Sequence, residues 1–218
     1  MSDGVCLGWV HTGIVQEAFA RSIAETCLRP ENEIVAMSTA QSPRQEAGRN
    51  EAIKGFLGTD AEWLMWIDTD MVFEKHSVRD LLHTARDQGG DIVAGLGFAY
   101  NHQTAQLVPN GFRWEEEGTY FKPVMYEDYP ERVLSVDGVG SGFMLVNRSV
   151  YEAWDGEVWH ETLNRHPASG TLMGHDLNFC YKAKFGLGVE ILWDTYVKTG
   201  HIKSFALTED NYNAYRRS

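Results

Sequence analysis

Asp68 and Asp70 are the residues in this chain whose type and spacing most directly offer chemistry. They follow the apolar run Trp63-Leu64-Met65-Trp66-Ile67, with only Thr69 between them. Five apolar residues between polar flanks read as a strand buried on both faces, ending where its side chains turn polar. In an open parallel sheet, ligands bind outside the carboxyl ends of the strands. An extended backbone through this stretch would point both carboxylates to one side. Two hard oxygen donors so placed suit Mg²⁺ or Mn²⁺, which bind through one or two carboxylates plus the phosphates of a substrate. The same two residues are equally at home in a simple turn.

The elements that must position this pair can be read along the chain. Val5 to Val10 predicts a first strand with His11-Thr12-Gly13 as its polar exit. Val15, Phe19, Ile23 and Cys27 recur every four residues and predict a helix stripe, closed before Pro30. Ile34 to Met37 predicts a second strand ending in Ser38-Thr39, which completes a βαβ unit and implies a parallel sheet. A helix is expected from about Glu46 to Leu57, with Ile53, Phe56 and Leu57 inward and Gly58 ending it. The strand leading to Asp68 is then the third parallel member. Ser77 reads as the N-cap of a helix to about Asp87, and Asp91 to Gly95 as a fourth strand.

From Phe98 to about Asp137 the βα rhythm stops. Tyr100, Phe112, Trp114, Tyr120, Phe121, Tyr126 and Tyr129 are interleaved with glycines and with Pro109, Pro123 and Pro130. One or two hairpins over the open end of the sheet are expected, with Glu115-Glu116-Glu117 as a solvated tip. Ser141 to Val146 resumes a strand, Ser149 can cap a short helix through Trp154, and His175 or Asp176 begins another through about Phe185. Glu190 to Trp193 is the expected final strand, and the tail from Lys203 onward is polar and expected to be partly mobile. Residues 1–218 thus read as one α/β domain, with a polar C-terminal tail from about residue 204.

Composition sets the outer bounds. Hydrophobic content of 43% describes a globular chain, and no apolar run approaches the roughly 20 residues of a membrane span. The N-terminus has no basic-then-apolar signal pattern, so a cytoplasmic protein is expected. Cys6, Cys27 and Cys180 have no CxxC spacing, which favours reduced thiols over a disulfide frame or a zinc site. A formal net charge of −12 argues against a nonspecific grip on a nucleic-acid backbone and disfavours DNA as a substrate.

Four separated motifs then stand in a recognisable order: Arg49-Asn50 with Asp68-Thr69-Asp70, the run Gly138 to Val146, Gly174-His175-Asp176, and Gly200-His201-Ile202. In these the chain, from Val5 to Lys203, resembles metal-dependent glycosyltransferases of the GT-A fold. The likeness is to inverting, family-2-like members and, in compact length, to the short glycosyltransferases encoded by phages, for which the host cytoplasm is the site of action. The resemblance implies a single Rossmann-like GT-A domain with a mostly parallel central sheet and a small antiparallel excursion. Asp68-Thr69-Asp70 corresponds to the family's DXD motif. Metal ligation is implied chiefly for Asp70 and His201, with Asp68 nearer the ribose and reaching the ion through water. Asp176 is the implied base, although His175 stands where the family usually carries Glu.

Each part has a physical purpose. Arg49 can offer charged donors to a diphosphate or ribose near a helix start. His11 and Thr12 leave the first strand where the family commonly holds the nucleotide base. Gly140, Ser141 and Gly142 would let backbone approach the donor sugar without a Cβ in the way. Trp114, Trp154 and Trp159 could stack on sugar rings or serve as core. The expected cofactors are Mn²⁺ or Mg²⁺ and a nucleotide-sugar donor, a UDP-sugar foremost. The expected acceptor is a hydroxyl on a protein, glycan or small molecule. Two other readings stand beside this one. A nucleotidyltransferase making nucleotide sugars would carry a Gly-rich, basic loop after the first strand, which Val10-His11-Thr12-Gly13 lacks. A non-catalytic nucleotide-sugar or carbohydrate binder would not need the base.

Overall fold

The computed structural model describes residues 2–101, 106–116, 119–125 and 131–203. Glu117 of the expected hairpin tip, Gly118, Tyr126, Tyr129 and Pro130 of the aromatic stretch, and the tail beyond Lys203 lie outside the described residues.

The first half of the chain alternates strand and helix: β1 (Ser2–His11), α1 (Glu17–Cys27), β2 (Ile34–Gln41), α2 (Gln45–Leu57), β3 (Ala61–Ile67), β4 (Met71–Phe73), α3 (Ser77–Gln88) and β5 (Ile92–Leu96). Short strands follow: β6 (Phe98–Asn101), β7 (Gln106–Pro109), β8 (Gly111–Glu115), β9 (Tyr120–Pro123), β10 (Val133–Val136), β11 (Gly138–Val139) and β12 (Phe143–Asn147). The chain then forms α4 (Arg148–Glu152), α5 (His175–Tyr181) and β13 (Ile191–His201).

Eight strands make the central sheet, in the order β10-β13-β5-β12-β3-β1-β2, with β4 paired to β13. β1 lies parallel between β2 and β3, and β13 lies parallel to β5. β12 runs antiparallel between β3 and β5. This is the mostly parallel α/β sheet expected, with the excursion forming two small antiparallel sheets, β6-β7 and β11-β8-β9, and adding β10 to the edge of the central one, antiparallel to β13. Alternation along β3 feeds both sides of the sheet. Trp63, Met65 and Ile67 pack with Phe19 of α1 and Leu81 and Leu82 of α3. Leu64 and Trp66 pack with Ile53 and Phe56 of α2 and Phe179 of α5.

Several element ends differ from expectation. The buried face of α1 is Phe19, Ser22 and Thr26, while Val15 precedes the helix and Cys27 is exposed. A strict four-residue step gains about 40° per turn, so Val15 and Cys27 cannot share one face. Ser77 is the first residue of α3 rather than its cap, and α4 is capped by Asn147, whose side chain accepts the Ser149 N–H at 2.9 Å. The final strand continues past Trp193 to His201, because its second half finds a partner in β4. Among the described residues no helix is long and apolar enough to cross a membrane.

Candidate functional site

β1 has β2 on one side and β3 on the other, so successive crossovers leave in opposite directions and open a crevice at the strands' carboxyl ends. A cleft of about 380 Å³ lies there, within the usual range for small-molecule sites. Asp68, Asp70, Asp176 and His201 all line it, as do Gly140, Ser141 and Gly142. Four distant stretches of sequence therefore converge.

The two aspartates are not carried on an extended backbone. β3 ends at Ile67 and the chain turns, the Met71 N–H donating to the Asp68 carbonyl at 3.0 Å. The turn separates the partners of the two carboxylates while leaving both on the cleft. Asp68 Oδ1 accepts from Arg49 Nη2 at 2.6 Å and from Gln45 Nε2 at 2.9 Å. Its backbone N–H donates to the Gly142 carbonyl at 2.8 Å, tying the turn to the glycine-rich segment. A Cβ on Gly142 would stand 3.4 Å from Asp68 Oδ2, so glycine here leaves the approach to that oxygen open.

Asp70 meets the other end of the chain. Its Oδ2 lies 3.0 Å from His201 Nε2 and 2.9 Å from Lys203 Nζ. The register of β4 on β13 sets this contact, with Met71 opposite His201 and Val72 opposite Gly200. Any side chain at Gly200 would strike Val72, its Cβ falling 2.6 Å from the Val72 Cγ2 methyl. Burial alone would raise the Asp70 carboxyl, but the hydrogen bonds and charges of His201 and Lys203 outweigh it and hold it at about 2. The bond to Asp70 in turn pushes His201 up from its ordinary value, with burial opposing.

His201 Nδ1 lies 3.1 Å from the Phe98 carbonyl, an acceptor, so this nitrogen carries a hydrogen. Nε2 meets Asp70 Oδ2 at 3.0 Å: protonated, it donates to the carboxylate, and without that proton its lone pair stands beside a carboxylate oxygen as a ready ligand for a metal cation. The pair fits a divalent ion on that ground. Among the described residues no set of three or more His, Cys, Asp or Glu side chains is gathered as a metal centre. A mixed oxygen and nitrogen pair completed by substrate oxygens is nevertheless the kind of set that Mn²⁺ accepts.

Arg49 stands behind the cleft rather than in it. It is 1% exposed, its guanidinium lies 4.6 Å over the Trp66 ring, and Nη2 also donates to the Ser141 carbonyl at 3.2 Å. Its reach to a ligand runs through Asp68. His11 and Thr12 follow Val10, which lines the cleft; neither lines it, and His11 Nδ1 accepts the Gly13 N–H at 3.0 Å. Asp176 occupies the first turn of α5, after Gly174 at the cap position. Its Oδ1 accepts the Leu177 N–H at 2.8 Å, and its Oδ2 meets no donor among the described residues. His175 beside it is held below its ordinary value by burial and then by Arg49, with Asp176 and Asp68 opposing. Trp114, Trp154 and Trp159 do not line the cleft; they pack on Tyr181, Phe179 and Tyr151 respectively.

Three site residues escaped the sequence reading. Gln45 is the second donor to Asp68. Asn110 knits the cleft floor, accepting from the Gly97 N–H and Trp193 Nε1 while its own carbonyl accepts the Gly140 N–H. Lys203, expected to begin a mobile tail, sits on Asp70. Only Lys203 left a signal, since His201 and Lys203 are two residues apart and extended chain turns such residues to one side.

At the level of sequence, no family model and no curated protein matches the chain. Solved structures do. A197 from STIV superposes with a TM-score of 0.61 at 17% identity, covering 92% of this chain and 86% of that one. GalNAc-T7, crystallised with UDP, GalNAc and Mn²⁺, gives a TM-score of 0.61 at 13% identity and covers 93% of this chain. The match spans 43% of the GalNAc-T7 chain. Likeness at such low identity shows the fold, and the fold is the GT-A type of α/β arrangement implied by the four motifs.

Proposed function

We propose that the protein is a glycosyltransferase that moves a sugar from a nucleoside-diphosphate sugar, a UDP-sugar, to an acceptor hydroxyl with inversion, using Mn²⁺ or Mg²⁺. The observation that carries this reading is the approach of Asp70 Oδ2 and His201 Nε2 to 3.0 Å, from positions 131 residues apart, in the lining of the cleft. The fold shared with a structure holding UDP, GalNAc and Mn²⁺ supports the choice of ligands.

Asp70 and His201 would hold the ion. Bound there, it supplies Lewis-acid stabilisation to the negative charge that develops on the departing diphosphate. Asp68, braced by Gln45 and Arg49, would serve the ribose and help Asp70 and His201 to hold the ion. His11 and Thr12 would meet the base at the exit of β1, beside Val10. Gly140, Ser141 and Gly142 offer backbone to the donor sugar. Asp176 is the base: its unengaged Oδ2 takes the proton of the acceptor hydroxyl as that oxygen attacks the anomeric carbon opposite the diphosphate. The acceptor is a hydroxyl on a protein, glycan or small molecule.

Calorimetry with UDP and Mn²⁺ tests the reading. His201→Ala should weaken metal-dependent UDP binding by about tenfold or more, whereas Asp176→Asn should keep that binding and lose sugar transfer. Metal-dependent binding unchanged in His201→Ala would remove the metal assignment, and full transfer by Asp176→Asn would remove the base.

A further inference from the structure

Lys203 carries an inference that rests on the metal reading of Asp70 and goes beyond it. Its ammonium and the His201 imidazole both engage Asp70 Oδ2, at 2.9 and 3.0 Å. A divalent ion on that oxygen would meet a cation already bound to the same lone pairs. Like charges repel, and the oxygen cannot serve both at full strength. The backbone at this point is anchored, since the Ile202 N–H donates to the Asp70 carbonyl at 2.7 Å. The lysine stem is free to pivot about that anchor: its side chain is 40% exposed and lines the cleft. A flexible stem bearing three donors suits a phosphate as well as a carboxylate.

We propose that Lys203 is a placeholder cation, neutralising Asp70 while the cleft is empty and moving to the diphosphate when a divalent ion takes Asp70. The free enzyme then binds metal weakly, because the ion must displace the ammonium. Nucleotide diphosphate removes that competition by giving the ammonium another partner. Metal and nucleotide therefore strengthen each other's binding, and the coupling is reciprocal.

The test is calorimetric titration of the full chain with Mn²⁺ alone, with UDP alone, and with Mn²⁺ at saturating UDP, for the native protein, Lys203→Met and Asp70→Asn. Lys203→Met is expected to bind Mn²⁺ alone roughly tenfold more tightly than the native protein, with the enhancement by UDP reduced by a similar factor. Mn²⁺ binding that Asp70→Asn abolishes but Lys203→Met leaves unchanged or weakens would overturn the placeholder while keeping the metal site. Mn²⁺ binding of native affinity in Asp70→Asn would overturn both.

Discussion

Replacing Arg49 with Met separates two roles that the same residue could play. Read from sequence, Arg49 offers its charge to the diphosphate; in the folded protein it is a buried brace for Asp68. The change removes two hydrogen bonds from a charged group, to Asp68 and to the Ser141 carbonyl, worth about 1.5–3 kcal/mol each before compensation. It also removes the stack on Trp66, worth about 1–2 kcal/mol. Two facts reduce the net cost. Nε and Nη1 of Arg49 are buried without an acceptor among the described residues, so their desolvation is relieved. Asp68 is 29% exposed and keeps Gln45, so its carboxylate is not stranded. The net loss should be about 2 kcal/mol, which for a chain of this size lowers Tm by roughly 4–8 °C. Metal-dependent UDP binding should weaken by about threefold or less, since Gln45 still holds Asp68, whereas loss of a direct phosphate contact would cost about tenfold or more. Thermal denaturation and calorimetry on one preparation decide it. An unchanged Tm with UDP binding weakened more than tenfold would refute the brace.

Arg148 predicts the opposite balance. It donates from Nε to the Ala61 carbonyl and from Nη2 to the carbonyls of Phe56 and Thr59, satisfying the C-terminal end of α2 with a cation where the helix dipole favours one. Arg148→Met should cost about 3–5 kcal/mol in denaturant unfolding, with UDP affinity unchanged in the folded protein. His160 gives a pH dependence: it is 1% exposed, stacked on Phe179, and held well below its ordinary value by burial and then by Arg49 and His175. A histidine kept neutral by the fold takes up its proton first in the unfolded chain, so its contribution is present above about pH 6.5 and is lost as pH falls below that value. His201, raised by Asp70, works in the other direction, its contribution fading as pH rises through its folded value. The native protein should therefore lose up to about 1.4 kcal/mol per pH unit, relative to His160→Phe, between pH 6 and 5; parallel stability curves for the two proteins would contradict this.

Elements that declare themselves by period and length are legible in the sequence. β3 carries an uninterrupted apolar run and α2 an apolar second half closed by Gly58, and their ends fall within a residue or two of expectation. β12 is legible as a strand but not in its place. Phe143, Met144, Leu145 and Val146 are all buried, and a strand buried on both faces has the same composition whichever way it runs. Nothing local to that run indicates that it enters between β3 and β5, antiparallel to both. Buried cations are invisible for a related reason. Arg49 reads as a donor to a diphosphate and Arg148 carries no signal at all, because the groups that neutralise or accept from them are supplied by the distant positions 68 and 141, and 56 to 61.

The pairing of Asp70 with His201 marks the limit of what spacing can do. Motif order alone puts both residues in one expected site, yet no count of intervening residues sets their separation. Register does. β13 alternates Thr195 in, Tyr196 out and Val197 in, and continues to His201 opposite Met71. Because side chains alternate with period two, sliding β13 by one residue against β4 would turn the imidazole to the opposite face and bring Ile202 to the position of His201. The absent side chain at Gly200 keeps Val72 close enough for that register to form, and the Ile202 N–H locks it on the Asp70 carbonyl. The contact therefore depends on a glycine and a backbone hydrogen bond, neither of which would itself touch a metal ion.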